Sequence, residues 1–283
     1  MKQYLGMLGL LMVTVIWGGG FPASDIALES ASPFQILAVR FTIATIFMAL
    51  IAFKELKSIT KEEMKCGVLL GTSLFAGFAL QIVGLQYTTV SNNAFLTATN
   101  VVFVPIIAFI IRRKRIELRN LVGVLMAIIG AGILSLSRHL TIGFGDLLTL
   151  FCAVAFAFQI FLTGEYVGKI RPAVLNFLQM VTAAVFSLIG CLFSGEVVFE
   201  PTGKSFAAIL YLGIASTTIT YLLQTVSQKY VEETKAAIIL SMEAVFGTIF
   251  SIILLHEPVT LKMVIGSSLI LGAVLVSEIK LKK

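Results

Sequence analysis

Residues 4–23 read YLGMLGLLMVTVIWGGGFPA, twenty positions without one charged side chain. At 1.5 Å per residue a helix of that length spans about 30 Å, the thickness of a bilayer's hydrocarbon core. A secretory leader would also begin apolar. Here the positive n-region is the single Lys2, and the run closes on Trp17-Gly18-Gly19-Gly20-Phe21-Pro22, not on a small-residue cleavage site. The stretch therefore reads as a membrane span.

Working outward, the same kind of run recurs along the whole chain. Spans are expected near 4–23, 34–53, 66–86, 92–111, 118–137, 145–163, 173–194, 204–227, 235–255 and 259–279. The composition agrees: 283 residues, 58% hydrophobic and 13% charged, against about 25% charged in soluble domains. A mean hydropathy of +1.00 excludes a soluble enzyme, a nucleic-acid module and a disordered chain, because a globule this size must show much of its surface to water. Cys66, Cys152 and Cys191 are widely spaced within or beside apolar stretches and form no CxxC pair. They read as small buried hydrophobes.

The surplus charge of +6 becomes informative once it is placed on the loops. If ten spans put both ends on one side, that side holds 17 of the lysines and arginines, densest at Lys54 to Lys65 and Arg112 to Arg119, and the other side holds 3, Arg138, Lys204 and Lys262. Arg40 falls inside a span. Such a split is the positive-inside pattern of a correct topology with both termini cytoplasmic.

The two halves also resemble each other. An offset of 139 sets Pro33 on Pro172, Arg40 on Gln179 and Trp17 on Phe156; an offset of 143 sets Gln81 on Gln224, Tyr87 on Tyr230 and Gly123 on Gly266. Five spans per copy is odd, so the second copy would enter the membrane from the opposite face. The expected fold is an all-α membrane protein of ten transmembrane helices, arranged as two inverted-topology five-helix repeats over 1–138 and 139–283. In such designs the solute site lies near the midplane, where the repeats meet.

These residues resemble the drug/metabolite transporter superfamily, ten-helix permeases of EamA type, over essentially the whole chain. The first helix carries Trp17-Gly18-Gly19-Gly20-Phe21 and the second Pro33 with Arg40. The fourth has Asn93-Ala94-Phe95-Leu96 and then Val104-Pro105. The ninth reads Met242-Glu243-Ala244-Val245-Phe246 and closes on His256-Glu257-Pro258-Val259-Thr260, with Gly266 and Gly272 in the tenth. Many relatives carry proline where Ala244 stands, which implies a less kinked ninth helix here. The resemblance implies a transporter in the cytoplasmic (inner) membrane, moving amino acids, other metabolites, nucleotide precursors or drugs.

Ionisable residues inside spans are the most informative, since a charge at that depth costs about 2.5–3.5 kcal/mol and needs a partner or a watery cavity. Glu243 either lines a cavity, binding a cationic group or exchanging protons, or is a structural carboxyl bonded between helices. Arg40 either takes a substrate carboxylate or ties helix ends at an external gate; its position off the midplane favours the gate, with Gln179 as its counterpart and Pro22 ending or kinking the first span. Asn93, Thr97 and Asn100 share one face of the fourth helix, and under the 143 offset Asn100 aligns with Glu243. Trp17, Gly19 and Phe21 are assigned to a cavity wall, with Phe158, Gln159 and Tyr221 as further candidates beside Gln81 and Gln224. Gly130, Gly132 and Gly272 read as packing positions.

No HExxH, Walker loop or Asp/His cluster is present, so no metal, cofactor or catalytic role is expected. The expected function is secondary transport of a small organic solute, an amino acid or related metabolite, by alternating access, with export and proton coupling as the finer readings. Organic-cation efflux is the alternative, through Glu243 and cation–π contacts; a facilitative channel ranks below it. Expected partners are the small-molecule substrate, the lipid bilayer and protons, no nucleic acid, and at most a second copy of the chain (monomer or homodimer).

Overall fold

The computed structural model describes residues 1–113, 117–135, 143–195, 199–256 and 259–278. Lys114, Arg115, Arg138, Lys280, Lys282 and Lys283 of the charge pattern lie outside them, as do His139, Glu257, Pro258 and the 138/139 repeat boundary. The described residues form helices joined by short turns, with no strand among them. In chain order we label them α1 Lys2–Leu28, α2 Pro33–Ala52, α3 Lys61–Leu85, α4 Val90–Arg112, α5 Leu118–Ser135, α6 Phe144–Tyr166, α7 Pro172–Ser194, α8 Gly203–Gln228, α9 Glu233–Leu255 and α10 Leu261–Glu278. Eight are long and apolar enough to cross a membrane, and two shorter apolar stretches, Leu118–Gly130 and Leu261–Val276, lie within α5 and α10.

Local chemistry sets the helix starts. The Ser32 hydroxyl accepts from the Gln35 amide, the Gln35 side chain answers the Ser32 amide, and Pro33 opens the first turn, where no N–H is needed. Thr60 and Glu63 do the same for α3, and Thr89 and Thr202 cap α4 and α8. Pro22 does not end α1: the helix runs through it to Leu28.

Three helices are irregular at depth. In α4 the ladder breaks between Val90–Ala98 and Asn100–Arg112; in α9 it breaks between Glu233–Leu240 and Glu243–Leu255. At each break a hydroxyl bonds back to a carbonyl three residues earlier, Thr99 to Leu96 (2.6 Å) and Ser241 to Ile238 (2.7 Å), competing with the regular ladder. In α9 the break falls at Ser241 and Met242, just before Ala244. In α8, residues Ile214–Ile219 form a π turn, with Thr217 and Thr218 bonding to carbonyls five residues back; such turns carry one extra residue.

Packing is pairwise. α5 lies on α10, α2 on α7, α3 on α6 and α7, α8 on α1 and α2, α4 on α6, and α9 on α1. Since lipid is as apolar as leucine, close backbone approach drives these contacts. A Cβ on Gly145 would lie 2.5 Å from the Gly84 carbonyl and 2.9 Å from the Tyr87 Cβ; one on Gly6 would lie 3.0 Å from the Ser227 carbonyl and 3.3 Å from the Tyr230 Cβ. A Cβ on Gly130 would lie 2.7 Å from the Gly266 carbonyl of α10, and one on Gly272 2.8 Å from the Met126 Cε. A Cβ on Gly132, expected to pack, would meet nothing within 4 Å among the described residues. Two larger buried clusters fill the interior, one around Phe41, Phe78 and Tyr221, the other around Leu10, Phe161 and Ile238.

Candidate functional site

The irregular segments converge. The half-helix starts at Asn100 and Glu243, the π turn of α8 and the Trp17 stretch of α1 surround one cavity. Its walls include Trp17, Gly20, Phe21 and Ser24 of α1, Arg40 of α2, Phe78 and Gln81 of α3, Thr97 and Asn100 of α4, Phe156 and Gln159 of α6, Ser216 and Tyr221 of α8, and Glu243 of α9.

Arg40 is 2% exposed. Its Nε donates to the Thr217 hydroxyl (2.5 Å) and one terminal nitrogen to the Ser216 carbonyl (3.3 Å) and hydroxyl (3.4 Å). The π turn brings both residues to it. The guanidinium carbon stands 3.9 Å from the Phe78 ring centroid, a cation–π distance. Among the described residues no carboxylate pairs with it, and its Nη1 has no hydrogen-bond partner.

Glu243 is 5% exposed, opens the second half of α9, and makes no hydrogen bond or ion pair among the described residues. The positive end of that half-helix dipole therefore lies at the cavity. Asn100 holds the equivalent first position in the second half of α4, and its buried Oδ1 is also unpartnered. Aromatic rings complete the box: Trp17 and Tyr221 are 5.2 Å apart, Phe78 and Phe156 5.0 Å, and Phe78 and Tyr221 6.2 Å. Trp17 is fixed by its indole N–H, which donates to the Ser216 carbonyl (3.1 Å) and the Thr220 hydroxyl (2.9 Å).

Of the residues singled out in the sequence, Glu243, Asn100, Trp17, Thr97, Phe21, Gln159, Tyr221, Gln81 and Arg40 share this cavity. The others do not line it. Asn93 sits behind the wall, donating to the Gln81 carbonyl (3.1 Å) and Thr149 (3.0 Å). Gly19 lies on the far side of α1, where a Cβ would stand 2.6 Å from the Tyr211 hydroxyl. Phe158 is 38% exposed, one turn position away from the inward Phe156 and Gln159. Gln179 is buried and donates to Asn176 (2.5 Å), and Pro22 is buried within α1. Ser24, Phe78, Phe156 and Ser216 were not among the sequence candidates. Phe156 was findable as the partner of Trp17 under the 139 offset, and Ser216 from the hydroxyl run Ser216-Thr217-Thr218 inside an apolar helix.

The chain resembles known proteins in sequence and in fold. A profile of the EamA-like transporter family matches residues 4–136 and again residues 143–278. A protein described as an uncharacterized transporter, from Archaeoglobus fulgidus, is 34% identical over 279 residues, spanning 99% of this chain and 87% of that one. The uncharacterized transporter YoaV of Bacillus subtilis is 23% identical over 93% of each chain. A solved crystal structure superposes with a TM-score of 0.81 over 96% of both chains at 16% identity, a likeness of fold. The chain belongs to the EamA-like transporter family and is a multi-pass membrane protein.

Proposed function

We propose that the chain is a secondary transporter that exports a small organic solute, an amino acid or related metabolite, by alternating access across the cytoplasmic membrane, with both termini inside. The observation that carries this reading is the pair of ionisable residues, Glu243 and Arg40, lining one cavity, where among the described residues Arg40 bonds only hydroxyls and a carbonyl and Glu243 has no ion pair. A buried charge without a partner is costly. A solute carrying both an ammonium and a carboxylate group supplies both partners, with the carboxylate suited to the planar guanidinium and the ammonium to Glu243.

Alternating access in this family of designs needs two inverted copies, here ten spans divided near 138/139, and the contacts support that reading. Gly6 on Ser227 and Tyr230 corresponds to Gly145 on Gly84 and Tyr87 under the offsets 139 and 143. Trp17 on Thr220 corresponds to Phe156 on Gly77. Gly71 on Thr182 corresponds to Gly213 on Ile43, with the second offset one residue shorter before the π turn than after it.

Organic-cation efflux is the second reading, favoured by the four aromatic rings around Glu243. Arg40 in the same wall opposes it, since a like charge there repels a cationic solute. Proton coupling is assigned to Glu243. In proteoliposomes, solute accumulation driven by a pH gradient should be lost in Glu243→Gln while the folded protein is retained; pH dependence that persists unchanged in that variant sinks the coupling. Competition by quaternary ammonium compounds with no competition by amino acids would transfer the assignment to cation efflux.

A further inference from the structure

The cavity has unlike surroundings toward its two ends. Toward one end Phe21 joins Leu85, Val90 and Ala94 in a buried apolar cluster, with Leu28 and Leu255 packed against it. Toward the end where α1 begins, the interior is polar. Gln159, which lines the cavity, accepts from Gln224 (3.2 Å) and donates to Thr163 (3.2 Å). Gln224 also donates to Gln228 (3.0 Å), the last residue of α8, and Gln228 donates to the Ile160 carbonyl (3.0 Å). All three glutamines are at most 4% exposed. A Cβ on Gly164 of α6 would lie 3.9 Å from the Gln228 amide and 3.5 Å from a Glu233 carboxylate oxygen, so Glu233 stands beside the end of the ladder. There, Arg112 bonds Glu233 (2.7 Å) through one nitrogen and Glu165 through two others, with its guanidinium 5.2 Å from the Phe161 ring. Lys169 stands 3.9 Å from Glu165. Arg112 is the last residue of α4, Glu233 the first of α9, and Glu165 lies one residue before the end of α6.

Interhelical glue would explain the glutamines if their hydrogen bonds were complete. They are not: the Gln224 Oε1 is buried with no partner. A half-satisfied ladder is a poor device for stability alone. It suits a passage whose side chains bond one another when shut and a passing solute or water when open.

We propose that Gln159, Gln224 and Gln228 line the closed half of the solute path on the side where α1 begins. Arg112, clamping Glu165 and Glu233, latches it shut. The latch joins α4 to α6 and α9, elements that an inverted-repeat rearrangement moves apart, so the proposal rests on the transport reading above.

The test replaces Cys66, Cys152 and Cys191 by alanine, introduces Gln228→Cys, and follows its labelling by a membrane-impermeant maleimide from each face of proteoliposomes. With the latch intact, labelling is slow from both faces. Arg112→Ala should raise the rate about ten-fold, from the latch face alone. If Arg112→Ala fails to fold, Glu233→Gln, which keeps the side chain's shape and removes its charge, should raise the rate in the same direction. Rates unchanged by the folded latch variant, or raised equally from both faces, overturn the proposal. Labelling needs no solute. A chain that opens in this way yet moves no solute keeps the gate and loses the transport reading; one that transports with labelling unchanged loses the gate alone.

Discussion

The two halves of the molecule carry matching scaffolds and different charges. Arg40 on α2 corresponds to Gln179 on α7, and Glu243 on α9 to Asn100 on α4. In each pair one member is charged and the other is its neutral hydrogen-bonding relative. Both charged members line the cavity; Asn100 lines it too, whereas Gln179 turns away to bond Asn176. The difference between Arg40 and Gln179 follows from the surrounding helices. Arg40 faces the π turn, whose Ser216 and Thr217 present a carbonyl and two hydroxyls to it. α3 runs as an unbroken α-helix past the corresponding position and its Gly71 packs on the backbone of Gln179 instead. On the proposed repeat, the shared scaffold supplies the cavity and divergence between the copies supplies its polarity.

Making one half resemble the other is the sharpest way to break this comparison. The largest effect is expected from Glu243→Gln, which brings that position close to Asn100. Solute transport in proteoliposomes should fall on the order of 100-fold or more, because truncating one partner of a buried charge pair costs about 2–5 kcal/mol. Arg40→Gln copies Gln179. It should raise KM about ten- to 100-fold for a solute bearing a carboxylate, the loss of one hydrogen-bonded charge worth about 1.5–3 kcal/mol, and leave a solute lacking that group largely unaffected. Arg40→Lys should recover only part, since an ammonium cannot reproduce the planar fork.

Smaller effects test the shared scaffold. Gly145→Ala forces a methyl against the Gly84 carbonyl and should cost about 1–3 kcal/mol, read as a lower Tm. Gly6→Ala, with its nearest contacts at 3.0 Å rather than 2.5 Å, should cost less; the reverse ranking would separate the two contacts as unrelated. Gly132→Ala meets nothing within 4 Å among the described residues and should raise stability by about 0.5–1 kcal/mol through helix propensity.

Much of this was readable beforehand. Uncharged runs and the placement of Lys and Arg located the helices to within a few residues, because bilayer thickness fixes span length. Trp17, Glu243 and Asn100 were findable because polar and aromatic groups at depth must turn inward. The breaks at Thr99 and Ser241 were not, since neither carries proline or glycine; a hydroxyl bonding back three residues leaves no mark that distinguishes it from the many that do not. The same holds for the π turn. Phe158 lies off the cavity wall for a simpler reason: at 100° per residue, one position separates the inward Gln159 from a side chain turned outward.

That last arithmetic also governs α8. The extra residue within Ile214–Ile219 sets the rotational phase of everything after it. Removing it would turn Tyr221, Gln224 and Gln228 by about 100° and draw them back about 1.5 Å along the axis. The indole clasp on Thr220, the aromatic box and the glutamine ladder would then lose register together. One surplus residue works as a spline, keying the guanidinium of α2 to the angular setting of the passage beyond it.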